Sequence, residues 1–419
     1  MRIGVFGGAF NPVHIRHVQI CLKIPEEYGL DKLIVIPSYN PPHKRLDSDN
    51  FFVRKSMLED ALAGIPKIEI SMLEYNSKKN NYTYEILSDI AAEYPDGQLF
   101  YIVGGDGLEA FDTWKKPEVI LSLASLIVIR RPDYNATDKA ASELTKKFGA
   151  RIYISELTEA DISSTYVRTL VALGETDGDL SGCLPHSALK GVLSGRYGEM
   201  YGGFGKYVDF VRSVSGEELF AHIKRTVLAA VKCNEKAGLD GTKVFLTALL
   251  HDASKEMIFE RTGSLDEKTD ILKISADFIK ELSNGRLDVE YYKRLSNTEY
   301  YAPCNTLRTS VLHQFTGAET AQKVLGIDDA EILDAVRYHT TAKADMTMLA
   351  KLVYLADKIE SARAYDGVDA IREKAKTDMD GAFKACLERN YAYLKAKGIK
   401  IYYLTEEAHS RYCAESDKA

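Results

Sequence analysis

The sequence predicts two folds in tandem: an α/β domain built on a mostly parallel sheet, then an all-α domain. Three observations predict this. Up to about residue 197, short apolar runs alternate with helix-like stretches, the pattern of parallel strands joined by crossover helices. Glycine-bearing turns follow directly on some of these runs, where such sheets bind their ligands. From about residue 207 the strand-like runs vanish and helical periodicity continues to near residue 397.

The strand candidates are residues 2–6, 32–37, 67–71, 99–103, 126–130 and 151–154. Gly7 and Gly8 let the chain leave the first run tightly and approach a ligand. Asn11-Pro12 reads as a turn opening a helix, and Asn81-Tyr82-Thr83 opens another. The α/β domain spans 1–197, and glycines clustered around Arg196-Tyr197 mark a linker at 198–206. Ser215-Gly-Glu-Glu218 reads as a capping box at the start of the helical domain, which spans 207–405, with a polar tail over 406–419.

Bulk properties narrow the function classes. A chain of 419 residues exceeds what one core usually serves. Its 45% hydrophobic and 27% charged residues are ordinary for a soluble globular protein. Net charge is −7 with no basic block, so nucleic acid is not the expected partner. Six scattered cysteines (21, 183, 233, 304, 386 and 413) form no Cys-x-x-Cys pair, which argues for a reducing cytoplasm over a disulfide framework. There is no signal-peptide pattern, and no apolar run approaches the roughly 18 residues of a membrane helix. A homo-oligomer is compatible with the sequence but not fixed by it.

In the first half, His14 and His17 lie three apart just after the glycine turn. Imidazoles and free backbone N–H groups at a helix start suit a phosphate; two surface histidines on a plain strand-to-helix turn are the simpler alternative. Ser163, Ser164 and Thr165 present hydroxyls at a later helix start, with Arg168 in its first turn. That makes either a fork for the outer phosphates of a triphosphate or a simple N-cap beside a surface arginine. Pro41-Pro42-His43-Lys44 follows the second run, and Gly104-Gly105-Asp106 follows the fourth, with Trp114 close behind.

These motifs resemble the nucleotidyltransferase superfamily, and within it bacterial nicotinate-nucleotide adenylyltransferase, over residues 1 to about 197. The resemblance implies a Rossmann-like sheet and transfer of adenylyl from ATP to nicotinate mononucleotide with Mg²⁺, giving deamido-NAD and pyrophosphate. It further implies that His14, His17 and Arg168 act on the phosphates, with Ser163, Ser164 and Thr165 beside the leaving pyrophosphate. Gly7, Gly8, Phe10, Gly104 and Asp106 would face the nucleotide, Asp106 at the ribose. Trp114 would stack on the pyridine ring, Thr83 would read its carboxylate, and Lys44 would sit on the phosphate side. Catalysis then needs no nucleophilic side chain, only positioning and charge stabilisation. Arg16 departs from the family's His-x-Gly-His quartet. It either adds a phosphate contact or crowds the site, leaving a nucleotide-binding regulatory module in front of one active hydrolase.

In the second half, four of the nine histidines have recognisable surroundings: His222, His251, His313 and His339. His251 is followed by Asp252 inside an apolar stretch, and Asp357 lies in Tyr-Leu-Ala-Asp. Buried unpaired polar groups are costly, so such residues fit ligands on one metal ion or on neighbouring ions. Together they resemble the HD phosphohydrolases, and the contexts of His313, His339 and Asp357 resemble the bacterial HD enzymes that cleave diadenosine tetraphosphate symmetrically to two ADP. That resemblance implies a divalent transition metal, iron, as one or two ions held by His222, His251, Asp252, His313, His339 and Asp357. Asp252 would bridge, and Lys255, Arg337, Lys358 and Arg363 would face polyphosphate. Gln314-Phe315 stands where the family has Gly-Pro, and residues 263–305 are long and rich in Tyr and Asn; both features are expected to reshape the substrate pocket. His186 and His409 are expected at the surface.

Overall fold

The computed structural model describes residues 1–39, 51–77, 82–130, 135–158, 162–175, 180–192, 204–256, 280 and 309–413. The chain divides into two compact units, Met1–Met200 and Tyr201–Ala419.

The first unit carries six parallel strands: β1 Arg2–Gly8, β2 Lys32–Pro37, β3 Ile68–Ile70, β4 Gln98–Gly104, β5 Ala124–Arg130 and β6 Ile152–Thr158. Their order is β3-β2-β1-β4-β5-β6, so the winding reverses between β1 and β4. All six runs expected from the sequence become strands, most of them longer than predicted. β5 is buried from Ala124 to Ile129, as a strand covered on both faces must be. The β1–β2 ladder continues to Gly8↔Pro37, whereas the β1–β4 ladder ends at Val5↔Tyr101. A crevice therefore opens beyond the carboxyl ends of β1 and β4, where doubly wound sheets bind nucleotides.

Eight helices of this unit bear on the site: α1 Ile15–Glu27, α2 Phe51–Leu62, α3 Leu73–Ser77, α4 Thr83–Glu93, α5 Gly105–Glu109, α6 Pro117–Leu123, α7 Asn135–Phe148 and α8 Ser164–Ala172. α1 begins one residue after His14, which is its N-cap, so His14 and His17 occupy the cap and third helical positions. α8 begins after Ser163, whose hydroxyl accepts the Tyr166 N–H at 3.1 Å.

The described part of the second unit is helical: α9 Gly205–Val214, α10 Glu217–Ala237, α11 Gly241–Leu250, α12 Thr309–Lys323, α13 Ala330–Tyr338, α14 Met348–Ile359, α15 Val368–Ala375, α16 Met379–Ala396 and α17 Tyr403–Tyr412. Asp240, Asp329 and Thr347 cap α11, α13 and α14 with side-chain oxygens. Two details differ from expectation. Ser215 ends α9, and the N-cap of α10 is Gly216, whose N–H is taken by the Glu256 carboxylate. The expected tail, 406–419, begins inside α17, which buries Leu404 and Thr405 ahead of that boundary and Ala408 beyond it; those side chains give the helix an anchor that its polar composition hides. Residues 198–203 of the expected linker and 414–419 of the tail lie outside the described residues.

Candidate nucleotide and metal sites

Two loops meet at the mouth of the first crevice. Phe10 has φ 45°, in the left-handed region, which costs a non-glycine residue stability unless its surroundings hold it. Its ring is buried and packs edge-on to His17 at 4.9 Å between centroids. Any contact of Phe10 with a ligand is thus through its main chain; the aromatic ring is a support for the imidazole. A Cβ at Gly8 would lie 3.2 Å from that ring, so glycine there lets Phe10 fold beneath the turn.

The two imidazoles stack 3.7 Å apart, and His17 Nδ1 accepts the His14 backbone N–H at 3.1 Å. Burial, reinforced by Arg16, lowers the His14 pKa to about 4. Burial and His14 hold His17 well below its ordinary value. Both rings are therefore neutral at pH 7, with His17 Nδ1 serving as an acceptor and its Nε2 left to carry the ring proton. Arg16 donates to Gln19 one turn along α1.

The serine-threonine-arginine segment docks on this same loop from over 150 residues away. Ser164 Oγ donates to Pro12 O at 2.9 Å. Arg168 donates to Asn11 O at 2.7 Å and to Thr165 Oγ1 at 2.9 Å. The predicted phosphate groups of both motifs thus come together at one loop.

Beside them lies a cavity of ≈ 190 Å³ whose walls include Gly7, Gly8, Ser38, Glu74, Tyr82, Thr83, Tyr101, Trp114 and Lys115. Trp114 stacks on Phe111 at 5.0 Å and meets Tyr101 edge-on at 6.0 Å. Lys115 Nζ sits 4.0 Å over the Tyr82 ring. Gly104 ends β4 and Asp106 is exposed in the first turn of α5. Lys44 lies outside the described residues.

Two residues, one in this wall and one behind it, escaped the sequence reading. Arg54, buried completely on α2, donates to Ala9 O and, at 2.7 Å, to Ser38 O, so one guanidinium ties the loops after β1 and β2 together. Glu74 accepts the Tyr39 N–H at 3.0 Å. Burial raises its pKa to about 7 against the pull of the Tyr39 N–H, Arg54 and Ser38. An arginine amid Phe51-Phe52-Val53 and Met57-Leu58 was the available signal: a charge on a buried helix face needs partners.

In the helical unit, His222 comes from α10, His251 from the end of α11, His313 from α12, His339 from the end of α13 and Asp357 from α14. Nδ1 of His251 lies 2.7 Å from Ala248 O, and Nδ1 of His339 lies 2.8 Å from Val336 O. A carbonyl only accepts, so Nδ1 carries the proton and Nε2 presents its lone pair to the centre. Burial lowers the pKa of His251 to about 3 and of His313 to about 4. Against burial, the neighbouring histidines hold Asp252 well below its usual range; Lys358 and His222 do the same for Asp357. His251 and His313 are thus neutral imidazoles and Asp252 and Asp357 ionised carboxylates, the forms that ligate metals.

Asp252 divides its oxygens. Oδ1 lies 3.1 Å from His313 Nε2 and 3.3 Å from His339 Nε2, while Oδ2 lies 3.6 Å from both His222 Nε2 and His251 Nε2. His222 Nε2 is 3.1 Å from Asp357 Oδ1. His222 Nε2, His251 Nε2 and Asp252 Oδ1 are buried without a directed hydrogen bond. Electron-rich atoms so close repel unless a cation sits among them, and the triads His222-His251-Asp357 and His251-Asp252-His339 both have ligand spacing. The residues fit a divalent ion.

Around this centre, Lys255 contacts Asp252 at 2.7 Å, and Lys358 and Arg363 contact Asp357 at 2.6 and 2.8 Å. Arg337 instead pairs with Glu319 at 3.3 Å. Thr340, missed by sequence reading though adjacent to His339, places Oγ1 3.1 Å from His313 Nε2 and 3.0 Å from His339 Nε2. Gln314 and Phe315 are buried. Gln314 Oε1 accepts the N–H groups of Thr340 and Thr341 at 3.2 and 3.1 Å, and Phe315 packs with Tyr338 and Leu404. Residues 263–305 lie outside the described residues apart from Lys280. His186 is exposed, and His409 stacks on Tyr391 at 3.9 Å.

The fold and the two sites define a nucleotidyltransferase-type domain followed by an HD domain. Family models agree: residues 5–170 match the cytidylyltransferase-like model and residues 219–362 the HD domain model. By its first half the chain belongs to the nicotinate-nucleotide adenylyltransferase family. A protein described as a probable nicotinate-nucleotide adenylyltransferase from Shewanella sp. (strain W3-18-1) is 30% identical over 197 residues, 92% of its length and 43% of this chain. Another so described, from Clostridium novyi (strain NT), is 34% identical over 172 residues, 86% of its length and 40% of this chain. A solved structure described as a predicted HD superfamily hydrolase involved in NAD metabolism, from Clostridium acetobutylicum, is 25% identical, with a TM-score of 0.39 over 98% of its chain and 51% of this one. No helix among the described residues is long and apolar enough to cross a membrane.

Proposed function

We propose that the chain is a bifunctional enzyme: an adenylyltransferase in front, joining ATP and nicotinate mononucleotide into deamido-NAD and pyrophosphate, and an HD phosphohydrolase behind. One observation carries the first activity. His14, His17, Ser164 and Arg168 meet on one loop at the switch point of the sheet, beside a cavity walled by Thr83 and Trp114. In this reading the mononucleotide phosphate attacks the α-phosphorus of ATP and pyrophosphate leaves. Neutral His14 and His17 and the Arg168 guanidinium stabilise charge on the phosphates, and Trp114 orients the pyridine ring. Mg²⁺ would neutralise phosphate charge here, as the family resemblance implies.

In the helical domain, His222, His251, Asp252, His313, His339 and Asp357 would hold one or two divalent ions. A bound ion would supply an acidified water as nucleophile. Lys255 and Arg363 stand where they can exchange a carboxylate for a substrate phosphate. Iron as the metal and diadenosine tetraphosphate as the substrate, cleaved to two ADP, are the specific proposals. They rest on the family resemblance of the His313, His339 and Asp357 surroundings.

The test is a product assay of the whole chain on both substrate sets. Deamido-NAD from ATP and nicotinate mononucleotide, abolished in His17→Ala, supports the first activity. ADP from diadenosine tetraphosphate, abolished in His251→Ala, supports the second. Arg16 supplies the second reading, because it stands between His14 and His17 in the first turn of α1, where the resembled family has glycine. No deamido-NAD from the natural chain, with recovery in Arg16→Gly, would show that the front domain only binds nucleotide.

A further inference from the structure

Three histidines of the helical centre differ in what holds their outer nitrogen. His251 and His339 lean on main-chain carbonyls of their own helices, Ala248 O and Val336 O. His222 sits within α10, where its own carbonyls are spent on the helix ladder, and its Nδ1 faces the Glu360 carboxylate at 3.3 Å. Glu360 is itself built in. It is 2% exposed, and its Oε2 accepts from Arg225 Nε at 2.7 Å and from the Ala362 N–H at 2.7 Å. Arg372 clamps the turn that carries it, donating to Ile359 O at 2.8 Å, Glu360 O at 2.6 Å and Arg363 O at 2.7 Å.

We propose that Glu360 is a positioning residue for metal loading: it holds the proton on His222 Nδ1, turns Nε2 toward Asp357 and Asp252, and makes His222 a stronger donor than its neighbours. A charged acceptor behind an imidazole raises its basicity more than a neutral carbonyl does, and removing such a partner typically lowers metal affinity 10- to 100-fold. Arg225 and the Ala362 N–H aim the Glu360 carboxylate. The inference rests on reading the cluster as a metal centre.

The experiment measures Mn²⁺ affinity of the full chain by competition with a fluorescent chelator, independent of any turnover. Glu360→Ala is expected to lose about 10- to 100-fold in affinity. Glu360→Gln, which keeps an acceptor but loses the charge, should fall between it and the natural chain. Thermal unfolding by far-ultraviolet circular dichroism, unchanged in the isosteric Glu360→Gln, separates positioning from loss of fold. Natural-strength Mn²⁺ binding in Glu360→Gln and Glu360→Ala, with binding abolished in Asp357→Ala, would overturn the role of Glu360 and leave the metal centre standing. Mn²⁺ binding untouched by Asp357→Ala and His251→Ala would overturn the metal-centre reading itself.

Discussion

Replacing Arg54 by methionine removes a buried cation while keeping most of its volume. Two carbonyls, Ala9 O and Ser38 O, lose their donor, and Glu74 loses the positive charge that restrains its pKa. Breaking a buried charge arrangement from one side costs about 3–5 kcal/mol. The loss should depend on pH, and its sign follows from Glu74. The folded-state pKa of Glu74 is raised from 4.5 to about 7. Its contribution is therefore fully present below pH 4.5 and is lost as pH rises through 7, a penalty of roughly 3 kcal/mol at pH 8. Without Arg54 the pKa climbs further, so the penalty keeps growing between pH 7 and 8. Arg54→Met should thus cost roughly 1 kcal/mol more at pH 8 than at pH 6. The assay is urea unfolding followed by the fluorescence of Trp114, the one tryptophan of the chain and a residue of the front domain. The pH-dependent excess should vanish when Glu74→Gln is added. Equal losses at both pH values, with additive effects in the double variant, would refute the coupling of Arg54 to Glu74.

Arg168→Ala should lower kcat/KM for pyrophosphate release by about 10²–10³-fold, since it removes a positioned charge from the proposed phosphate loop; a change under threefold would take Arg168 out of that proposed site. His14, held at about 4 against 6.5, favours the fold when neutral. Its contribution is present above pH 6.5 and lost as pH falls through 4, a fall of roughly 3 kcal/mol. Trp114 fluorescence should therefore show a shallower acid dependence of stability in His14→Asn, and an identical one would contradict the burial of this imidazole. Gln314→Leu strands the Thr340 and Thr341 N–H groups beside the metal cluster and should cost roughly 2–4 kcal/mol, read by circular dichroism of the helical domain; a loss under about 0.5 kcal/mol would show that those groups find other partners.

Much of this molecule was legible from residues alone. Period and apolar runs located all six strands, because a parallel strand buried on both faces leaves little choice of side chain. The glycine turns, the histidine pair and the serine-threonine-arginine segment stood out because their local chemistry is costly without a ligand or a cap. The His-Asp pair did so because apolar neighbours make it costly to bury unpaired. What sequence could not show is whatever depends on chain segments far apart. Arg54 and Glu74 belong to no motif read from the sequence; only the sheet brings the loops after β1 and β2 beside them. Gln314 and Phe315 stood out as a departure from the family's Gly-Pro, but only helix packing shows what they do: one pins Thr340 and Thr341, the other fills a small apolar cluster. Glu360 lies next to a ligand motif, yet only the crossing of α10 and α14 puts its carboxylate behind His222.

The sequence by itself determined the two fold classes and singled out the candidate phosphate loop and metal ligands, since these follow from local periodicity and from residue types that resist burial alone. The tertiary structure alone decided which oxygens of Asp252 face which histidines, which imidazole nitrogens are free to ligate, and which buried charges hold the loops in place. Those are matters of a few tenths of an ångström between segments distant in the chain, and only the packed fold sets them.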